Sequence, residues 1–221
     1  MKIAIDGPAG AGKSTVARMA AEQLGFLYVD TGAMYRAVGL YALRRGADPH
    51  SAEAVAALLP GIDLGLTYQD GVQRILLNGE DVSAAIRMPD ASMAASAVSA
   101  HPAVRAFLLD RQRALGRDRS VVMDGRDIGT VIFPDAEVKI FMTASAEERA
   151  GRRCRELQEK GQDADFNAVL AEIRARDYSD SHRAAAPLRP AEDAVTLDTT
   201  AMSLEKSVQE VLRIVKQAES K

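Results

Sequence analysis

One short segment near the start of the chain constrains the fold more than any other. The sequence GPAGAGKS, residues 7–14, follows an apolar run at 2–6 and precedes a stretch with helical periodicity. It matches the pattern G-x-x-x-x-G-K-[ST], in which glycines let successive backbone N–H groups converge on one anion. A helix that begins near Lys13 adds the positive end of its dipole. The sequence therefore predicts a strand, a phosphate-binding loop and a helix that together bind a nucleoside triphosphate.

The residue types of this loop have separate expected roles. Lys13 is expected to reach the β- and γ-phosphates, and the Ser14 hydroxyl is available to Mg²⁺. Asp124 directly follows a later apolar run and is placed as a second magnesium ligand would be. The residues expected to bind the nucleotide are Gly7, Pro8, Ala9, Gly10, Ala11, Gly12, Lys13, Ser14 and Thr15.

Composition narrows the class of protein. The chain has 221 residues, 47% hydrophobic and 27% charged, and a net charge of −3 that gives no global positive field. Phosphate binding must then depend on local arginines. The single cysteine, Cys154, favours a reducing compartment, and no stretch reaches the ~18 apolar residues of a membrane span. We expect a cytoplasmic monomer whose partners are small molecules and not nucleic acid or a membrane.

The rest of the chain alternates between apolar runs and helical periodicities. Further buried strands are expected at 26–30, 120–124, 138–142 and 194–198. This alternation predicts an α/β fold with a five-stranded parallel sheet and helices on both faces. Residues 61–88 interrupt the pattern with Asp70-Gly71 and Asn78-Gly79 turns, which predict an inserted hairpin or three-stranded antiparallel β unit.

Local signals also predict the ends of helices. Thr31 can cap a helix that Gly46 ends, and the pair Ser145 and Glu148 predicts a capping box. The other helices are expected at 13–24, 51–59, 89–98, 102–116, 165–181 and 203–218.

Arginines occur where structure alone would not favour them. Arg36 is expected in the first turn of its helix, where a cation opposes the helix dipole and suggests a nearby anion. Arg126 and Asp127 follow the strand at 120–124, at the edge where open α/β sheets bind ligands. Arg126 can bind a phosphate, and Asp127 can accept hydrogen bonds from a base or sugar. The alternatives are a solvated Arg36, and a tight turn with a local ion pair at Arg126 and Asp127.

The helix expected at 165–181 has one face that changes from apolar to charged. Its members, at helical spacing, are Val169, Ile173, Arg176, Asp180 and Arg183. Such a face lines a polar cavity if the helix extends that far, and an exposed helix end is the alternative. The arginines of ERAGRRCRE, residues 148–156, would either cover a triphosphate or form a solvated face.

Together these features predict two phosphate-bearing ligands. One is on the glycine loop, and the other is held by Arg36, Arg126 and Arg183. In-line phosphoryl transfer requires this positioning and charge neutralisation, with little covalent chemistry from the protein. The three histidines offer no metal-ligand spacing, and they are His50, His101 and His182.

At this point the sequence resembles a known family, the bacterial cytidylate kinases, which are nucleoside monophosphate kinases. The similarity runs from IDGPAGAGKST through VDTGAMYRA and HPAVRAFLLDRQR to DGRDIGTVIFPDA and RDYSDSHRAAAPL. The phosphate loop alone is unspecific, whereas DTGAMYR with DGRDIGTVIFPDA is highly specific. The resemblance implies a three-layer P-loop kinase core with a helical lid, and transfer of the γ-phosphate of MgATP to CMP or dCMP.

The resemblance also implies roles for individual residues. Those near the transferring phosphate are Lys13, Arg126, Arg176 and Arg183. Those that bind the acceptor are Thr31, Tyr35, Arg36, Ser96, Arg105, Arg126, Asp127, Asp180 and Arg183. Among these, Ser96, Arg105 and Asp127 would recognise cytosine, and Asp180 would face the ribose. The lid arginines would be Arg149, Arg152 and Arg153. One departure is that the loop ends in Lys-Ser-Thr where some relatives have Lys-Gly-Thr, so Ser14 need not be essential for Mg²⁺.

The resemblance further divides the chain into functional parts. These are a core of 1–30, 104–145 and 185–221, a monophosphate-binding region of 31–103, a lid of about 146–163 and a substrate-lining helix of about 165–183.

Two other functions fit parts of the sequence. One alternative is a kinase on the same core that acts on AMP, UMP or shikimate. The β insertion and the set Ser96, Arg105 and Asp127 argue against this alternative. A GTPase-like switch or an ATP-dependent binding module has no use for a second arginine-lined phosphate pocket. The guanine-reading Asn-Lys-x-Asp motif of such a switch is also absent from the sequence.

Overall fold

The structure is a computed structural model that describes residues 1–69, 71–159 and 161–220. Asp70 of the predicted Asp70-Gly71 turn and Lys160 of the predicted lid lie outside the described residues. The chain divides into two compact units, the first formed by Met1–Tyr28 with Arg119–Lys221 and the second by Val29–Asp118.

The secondary structure follows the predicted alternation closely. The strands are β1 (Lys2–Asp6), β2 (Leu27–Asp30), β3 (Leu64–Gln69), β4 (Val72–Leu77), β5 (Glu80–Asp81), β6 (Val121–Gly125), β7 (Val138–Thr143) and β8 (Val195–Asp198). The helices are α1 (Lys13–Leu24), α2 (Thr31–Arg44), α3 (Ala52–Leu58), α4 (Pro89–Val98), α5 (Pro102–Leu115), α6 (Ala146–Glu159), α7 (Phe166–His182) and α8 (Leu204–Glu219).

A five-stranded parallel sheet in the order β2-β6-β1-β7-β8 forms the centre of the fold. The strands β1 and β6 are almost continuously apolar, as is typical of strands that helices cover on both faces of a sheet. Their residues Ile3, Ile5 and Val122 are fully buried. They pack with Val16 of α1 and Val211 of α8 in one hydrophobic core. The predicted α/β fold with a parallel sheet is confirmed.

The second unit contains the predicted β insertion as a separate antiparallel sheet, β3-β4-β5. Asn78 and Gly79 have φ angles of 50° and 83°, as a tight hairpin turn between β4 and β5 requires. In the same unit α2 packs closely on α4 at Gly39. A Cβ at this position would lie only 2.9 Å from the backbone of Ala94, so the two helices can approach this closely because the residue is glycine. The predicted antiparallel insertion is therefore confirmed.

The start of α2 differs from the prediction. Asp30, and not Thr31, is the N-cap, and its carboxylate accepts a hydrogen bond from the Ala33 N–H over 3.0 Å. Because the helix begins at Thr31, Arg36 lies in its second turn and not in the first. The end of the helix is as predicted, because its last residue is Arg44 and Gly46 follows with a φ angle of 68° and donates its N–H to the Leu43 carbonyl.

Two further expectations need correction. The helix α7 ends at His182, so Arg183 lies beyond it in extended backbone. Only half of the predicted capping box forms: Ser145 Oγ accepts the Glu148 N–H, while the Glu148 carboxylate pairs with Arg152. The helix α5 lies in the second of the two compact units.

Among the residues that the structure describes, no helix is both long enough and apolar enough to span a membrane.

Candidate active site

The loop between β1 and α1 has the backbone that its glycines predict. Gly7, Gly10 and Gly12 have φ angles of 148°, 75° and 85°, which residues other than glycine rarely adopt. A Cβ on Gly7 would also overlap the carbonyl oxygen of Met142. Gly12 is the N-cap of α1 and supplies no side-chain cap, so the first backbone N–H groups of the helix face the loop.

Lys13 is buried at the base of this loop. Its side chain donates a hydrogen bond from Nζ to the Pro8 carbonyl over 2.7 Å. Burial and, to a smaller extent, the positive charge of Arg126 lower the pKa of Lys13 to about 7, although the nearby carboxylates of Asp124 and Asp6 act in the opposite direction. A phosphate placed in the loop would favour the protonated form of this ammonium group.

Two predicted magnesium ligands meet beside the loop. Ser14 Oγ donates a hydrogen bond to Asp124 Oδ2 over 2.7 Å, and the Tyr28 hydroxyl donates to Asp124 Oδ1 over 2.9 Å. Hydroxyl and carboxylate oxygens are hard donors of the kind that Mg²⁺ prefers, so the pair fits this ion. The described residues contain no cluster of three or more acidic, histidine or cysteine side chains that could hold a metal ion by themselves.

Asp6 is a functional candidate that sequence reasoning missed. It ends β1, and its carboxylate accepts the backbone N–H groups of Ile128 and Gly129 over 2.8 and 2.7 Å. Burial raises the pKa of Asp6 to about 6, although these two hydrogen bonds favour the ionised form. The missed signal was an acidic residue at the end of a buried strand, the same signal that identified Asp124.

The segment after β6 forms a charged cluster with the end of α7. Arg126 donates from Nε to Asp180 Oδ2 over 2.8 Å. Arg183 Nη2 lies 3.9 Å from Asp127 Oδ1, and the side chains of both residues are only 6% exposed. Sequence reasoning allowed a local ion pair within the turn, whereas Arg126 pairs with Asp180 of the distant helix and Asp127 is approached by Arg183 from the flank of that helix.

The pKa of Asp180 reflects this cluster. Burial tends to raise the pKa of the carboxyl, but the charge and hydrogen bond of Arg126 and the charges of Arg176 and Arg183 outweigh it and hold the pKa below its ordinary value. The face that begins with buried Val169 therefore becomes charged at Arg176 and Asp180, and Arg183 joins this charged cluster from beyond the helix.

The three predicted lid arginines have different surroundings. Arg149 is buried and bound to the protein itself, including the carboxylate of Asp177. Arg152 donates to the Thr199 carbonyl over 2.8 Å, and one of its terminal nitrogens approaches Gly12 of the phosphate loop. Arg153 lies on the exposed side of α6 and pairs with its neighbour Glu156.

The second unit brings some of the predicted acceptor residues together. The guanidinium of Arg105 lies 5.6 Å from the centre of the buried Tyr35 ring and donates to the Ser99 carbonyl over 3.2 Å. Ser96 lies one turn earlier in α4, where its carbonyl accepts the Ser99 hydroxyl. Arg105 and Tyr35 therefore lie close together, and the backbone of Ser96 is linked through Ser99 to the carbonyl that Arg105 contacts.

The other predicted acceptor residues of this unit lie at the start of α2. Thr31 is buried at the first position of the helix. Arg36 Nη2 contacts Asp30 Oδ2 at 2.6 Å, so the anion implied by this arginine includes a carboxylate of the chain itself. Asp30 is a second residue that sequence reasoning missed, because it serves at once as helix cap and as ion-pair partner.

Comparison with known proteins shows which family the chain is similar to. A family model described as cytidylate kinase matches residues 3–217. A cytidylate kinase of Caldicellulosiruptor bescii is 50% identical over 214 residues, which cover 97% of this chain and 95% of that protein. A cytidylate kinase of Syntrophotalea carbinolica is 50% identical over 213 residues, covering 96% of this chain and 91% of that protein.

Among solved structures, an uncharacterized protein from Eubacterium ventriosum superposes with a TM-score of 0.51 at 13% identity. The superposition covers 100% of this chain and 99% of the other, and it supports the fold alone. The family match over nearly the whole chain and the two relatives at half identity settle the assignment. The chain belongs to the cytidylate kinase family and is a phosphotransferase.

Proposed function

We propose that the protein transfers the γ-phosphate of ATP to CMP or dCMP in an Mg²⁺-dependent reaction, giving ADP and CDP or dCDP in pyrimidine nucleotide metabolism. One observation carries the proposal. The unit that contains the phosphate loop also contains a second group of buried charges, in which Arg126 pairs with Asp180 and Arg183 approaches Asp127. A protein that only binds ATP has no need of this second arginine group.

In this proposal the loop of residues 7–15 binds the donor. Its backbone N–H groups and the start of α1 hold the β- and γ-phosphates, and Lys13 turns from the Pro8 carbonyl towards them. Mg²⁺ would be held by Ser14 and Asp124 together with the phosphates, and when bound it would supply positive charge to the donor phosphates.

The acceptor phosphate is assigned to Arg36, Arg126 and Arg183. A guanidinium binds phosphate through two parallel N–H groups, so an incoming phosphate competes with the carboxylates that these arginines contact in the free protein. Arg176 lies beside this group and adds positive charge where negative charge moves from donor to acceptor. The protein thus positions the reacting oxygens in line and neutralises them, without a covalent intermediate.

The base is assigned to Ser96, Arg105 and Asp127, with Tyr35 beside it. Cytosine differs from uracil by an exocyclic amine, which donates hydrogen bonds, and by an unprotonated ring nitrogen. The Asp127 carboxylate can accept from the amine, and Arg105 can donate to the ring acceptors. Uracil has neither the amine donor nor the unprotonated ring nitrogen, so it would lose these hydrogen bonds and would be bound less tightly. Thr31 and Asp180 are assigned to the sugar end of the acceptor.

The proposal keeps the functional parts expected from the resemblance. The core comprises 1–30, 104–145 and 185–221, and 31–103 bind the monophosphate. Residues 146–163, apart from Lys160, form a lid that carries Arg152 and Arg153. We place the enzyme in the cytoplasm as a monomer acting on free nucleotides, which the net charge of −3 and the single unpaired Cys154 support.

A panel of nucleoside monophosphates tests the function. ADP release with ATP and Mg²⁺ is measured for CMP, dCMP, UMP, AMP and GMP at equal concentrations. The proposal predicts the highest kcat/KM for CMP and dCMP, because only cytosine satisfies both Asp127 and Arg105. Equal rates with all acceptors would refute the assigned recognition of the base, and phosphorylation of none would refute the function.

A further inference from the structure

The side chain of Arg149 joins three separate parts of the first unit. Its Nε donates to the Ala144 carbonyl at the end of β7 over 2.9 Å, and its Nη1 donates to the Ala9 carbonyl of the phosphate loop over 3.0 Å. Nη1 and Nη2 also donate to the two carboxylate oxygens of Asp177 over 2.9 and 2.6 Å. Only 5% of the Arg149 side chain is exposed. The guanidinium therefore connects the phosphate loop to α7.

This arrangement gives Arg149 a different role from that of a phosphate ligand. All three guanidinium nitrogens already donate to oxygens of the protein, and the pair with Asp177 is bidentate. The Arg149 side chain also packs against the loop, since a Cβ on Gly10 would lie 3.5 Å from Arg149 Cβ. Arg149 supports the loop from the side of α6.

The helix α7 makes a second ion pair one turn further along. Asp180 lies three residues after Asp177, so the two carboxylates project from neighbouring positions of one helical face. Asp177 binds Arg149, which touches the phosphate loop, and Asp180 binds Arg126. A rigid helical turn of about 5 Å therefore separates the contact to the donor loop from the contact to the acceptor arginine.

We propose that Arg149 and Asp177 are positioning residues that fix α7 to the phosphate loop and so set the place of Arg126 relative to the donor phosphates. The inference rests on the proposed function, because it concerns the same donor and acceptor. A triphosphate that orders the loop would order Arg126 through Arg149, Asp177 and α7. Donor and acceptor should then bind more tightly together than either binds alone.

The same two helices offer a matched control. Arg174 of α7 contacts Glu147 of α6 at 2.6 Å, but the side chains are 62% and 56% exposed. The hydrogen bond of this pair joins Arg174 Nη2 to Glu147 Oε1 and involves no residue of the phosphate loop. Glu147→Gln therefore removes an ion pair between α6 and α7 without disturbing the connection to the loop, and such exposed pairs contribute little to stability.

The test measures coupling between the two nucleotides in the full-length protein. Calorimetry gives the Kd of CMP with and without a non-hydrolysable ATP analogue and Mg²⁺. We expect the analogue to tighten CMP binding by about fivefold or more in the wild type and in Glu147→Gln. In Asp177→Asn and Arg149→Lys the ratio of the two Kd values should approach one. Their kcat should fall by about tenfold or more, with smaller changes in either KM, because misplacement affects the reacting geometry.

Several outcomes overturn the proposal. One is a coupling ratio in Asp177→Asn and Arg149→Lys equal to that of the wild type, whatever their thermal stability, because a purely structural pair lowers Tm without changing coupling. A ratio of one in the wild type is another. If Asp177→Asn does not fold, Asp177→Glu, which keeps the charge but displaces it by one methylene, serves in its place. Failure of the wild type to bind or phosphorylate CMP would instead refute the proposed function, so the two failures are distinguishable.

Discussion

Arg126 donates its Nε hydrogen to Asp180 Oδ2 over 2.8 Å and so joins the residue after β6 to the last turn of α7. The two residues are 54 positions apart in the chain, and the Asp180 side chain is only 8% exposed. The pair holds Arg126 beside Asp127 at the end of the central sheet. An acceptor phosphate would therefore meet an arginine whose position is already fixed by the protein.

Arg126→Ala should lower kcat/KM for every acceptor. The side chain is assigned to the phosphate, which all nucleoside monophosphates share, so its loss should cost about 10²–10³ in kcat/KM. Steady-state rates with CMP, dCMP and UMP measure this effect. Arg213→Ala is the control, since this arginine pairs with Glu210 on the exposed side of α8. A loss confined to CMP would contradict the assignment.

Asp127→Ala should instead change the preference among bases. The carboxylate is assigned to the cytosine amine, and one buried hydrogen bond to a charged group discriminates by about tenfold or more. The ratio of kcat/KM for CMP to that for UMP should therefore fall, while the rate with UMP changes less. If Arg126→Ala and Asp127→Ala gave the same acceptor profile, their division of roles would be wrong.

Asp180→Asn should destabilise the protein near neutral pH. The change leaves the Arg126 guanidinium partly buried beside a neutral group, and we expect the free energy of unfolding to fall by about 1–3 kcal/mol. Because the native pKa of Asp180 lies below its unfolded value, this stabilisation is complete above about pH 4 and is lost as pH falls through the native pKa. Urea unfolding at neutral pH and near pH 3 measures both effects. Equal stability of variant and wild type at neutral pH would contradict the prediction.

Asp6 should give the opposite pH dependence. Its native pKa is raised from 3.8 to about 6, so the folded protein takes up a proton as pH falls below 6 while the unfolded chain does not until near 4. The contribution of Asp6 to the free energy of unfolding should therefore rise by up to about 3 kcal/mol between pH 7 and pH 4. The difference in stability between wild type and Asp6→Asn, measured by urea unfolding across this range, should shift in favour of the wild type at low pH. Parallel curves for the two proteins would show that Asp6 does not titrate as described.

Much of the fold could be predicted because its signals are local. Each strand of the central sheet is a short apolar run that ends at a turn, and the Asn78-Gly79 turn has the positive φ angles that its sequence favours. The phosphate loop combines glycines, Lys13 and the start of a helix within 13 residues of the chain start. These features depend on neighbouring residues, so they can be recognised without knowledge of tertiary contacts.

The missed features depend on distant residues. The Asp6 carboxylate accepts the N–H groups of Ile128 and Gly129, which lie 122 and 123 positions further along the chain. The pairing of Arg149 with Asp177 depends on the packing of α6 against α7, which the arginine-rich segment alone does not specify. Arg183 lies beyond the end of α7 in extended backbone, where its Nε donates to the Ala186 carbonyl.

Single-turnover transfer from ATP labelled in its γ-phosphate tests the central claim most directly. With enzyme in excess and Mg²⁺ present, the label is followed with and without CMP by rapid quenching. The account predicts that the label enters CDP at a rate that depends on CMP, and that little inorganic phosphate forms when CMP is absent. Label released as inorganic phosphate at the same rate with or without CMP, and none in CDP, would contradict it.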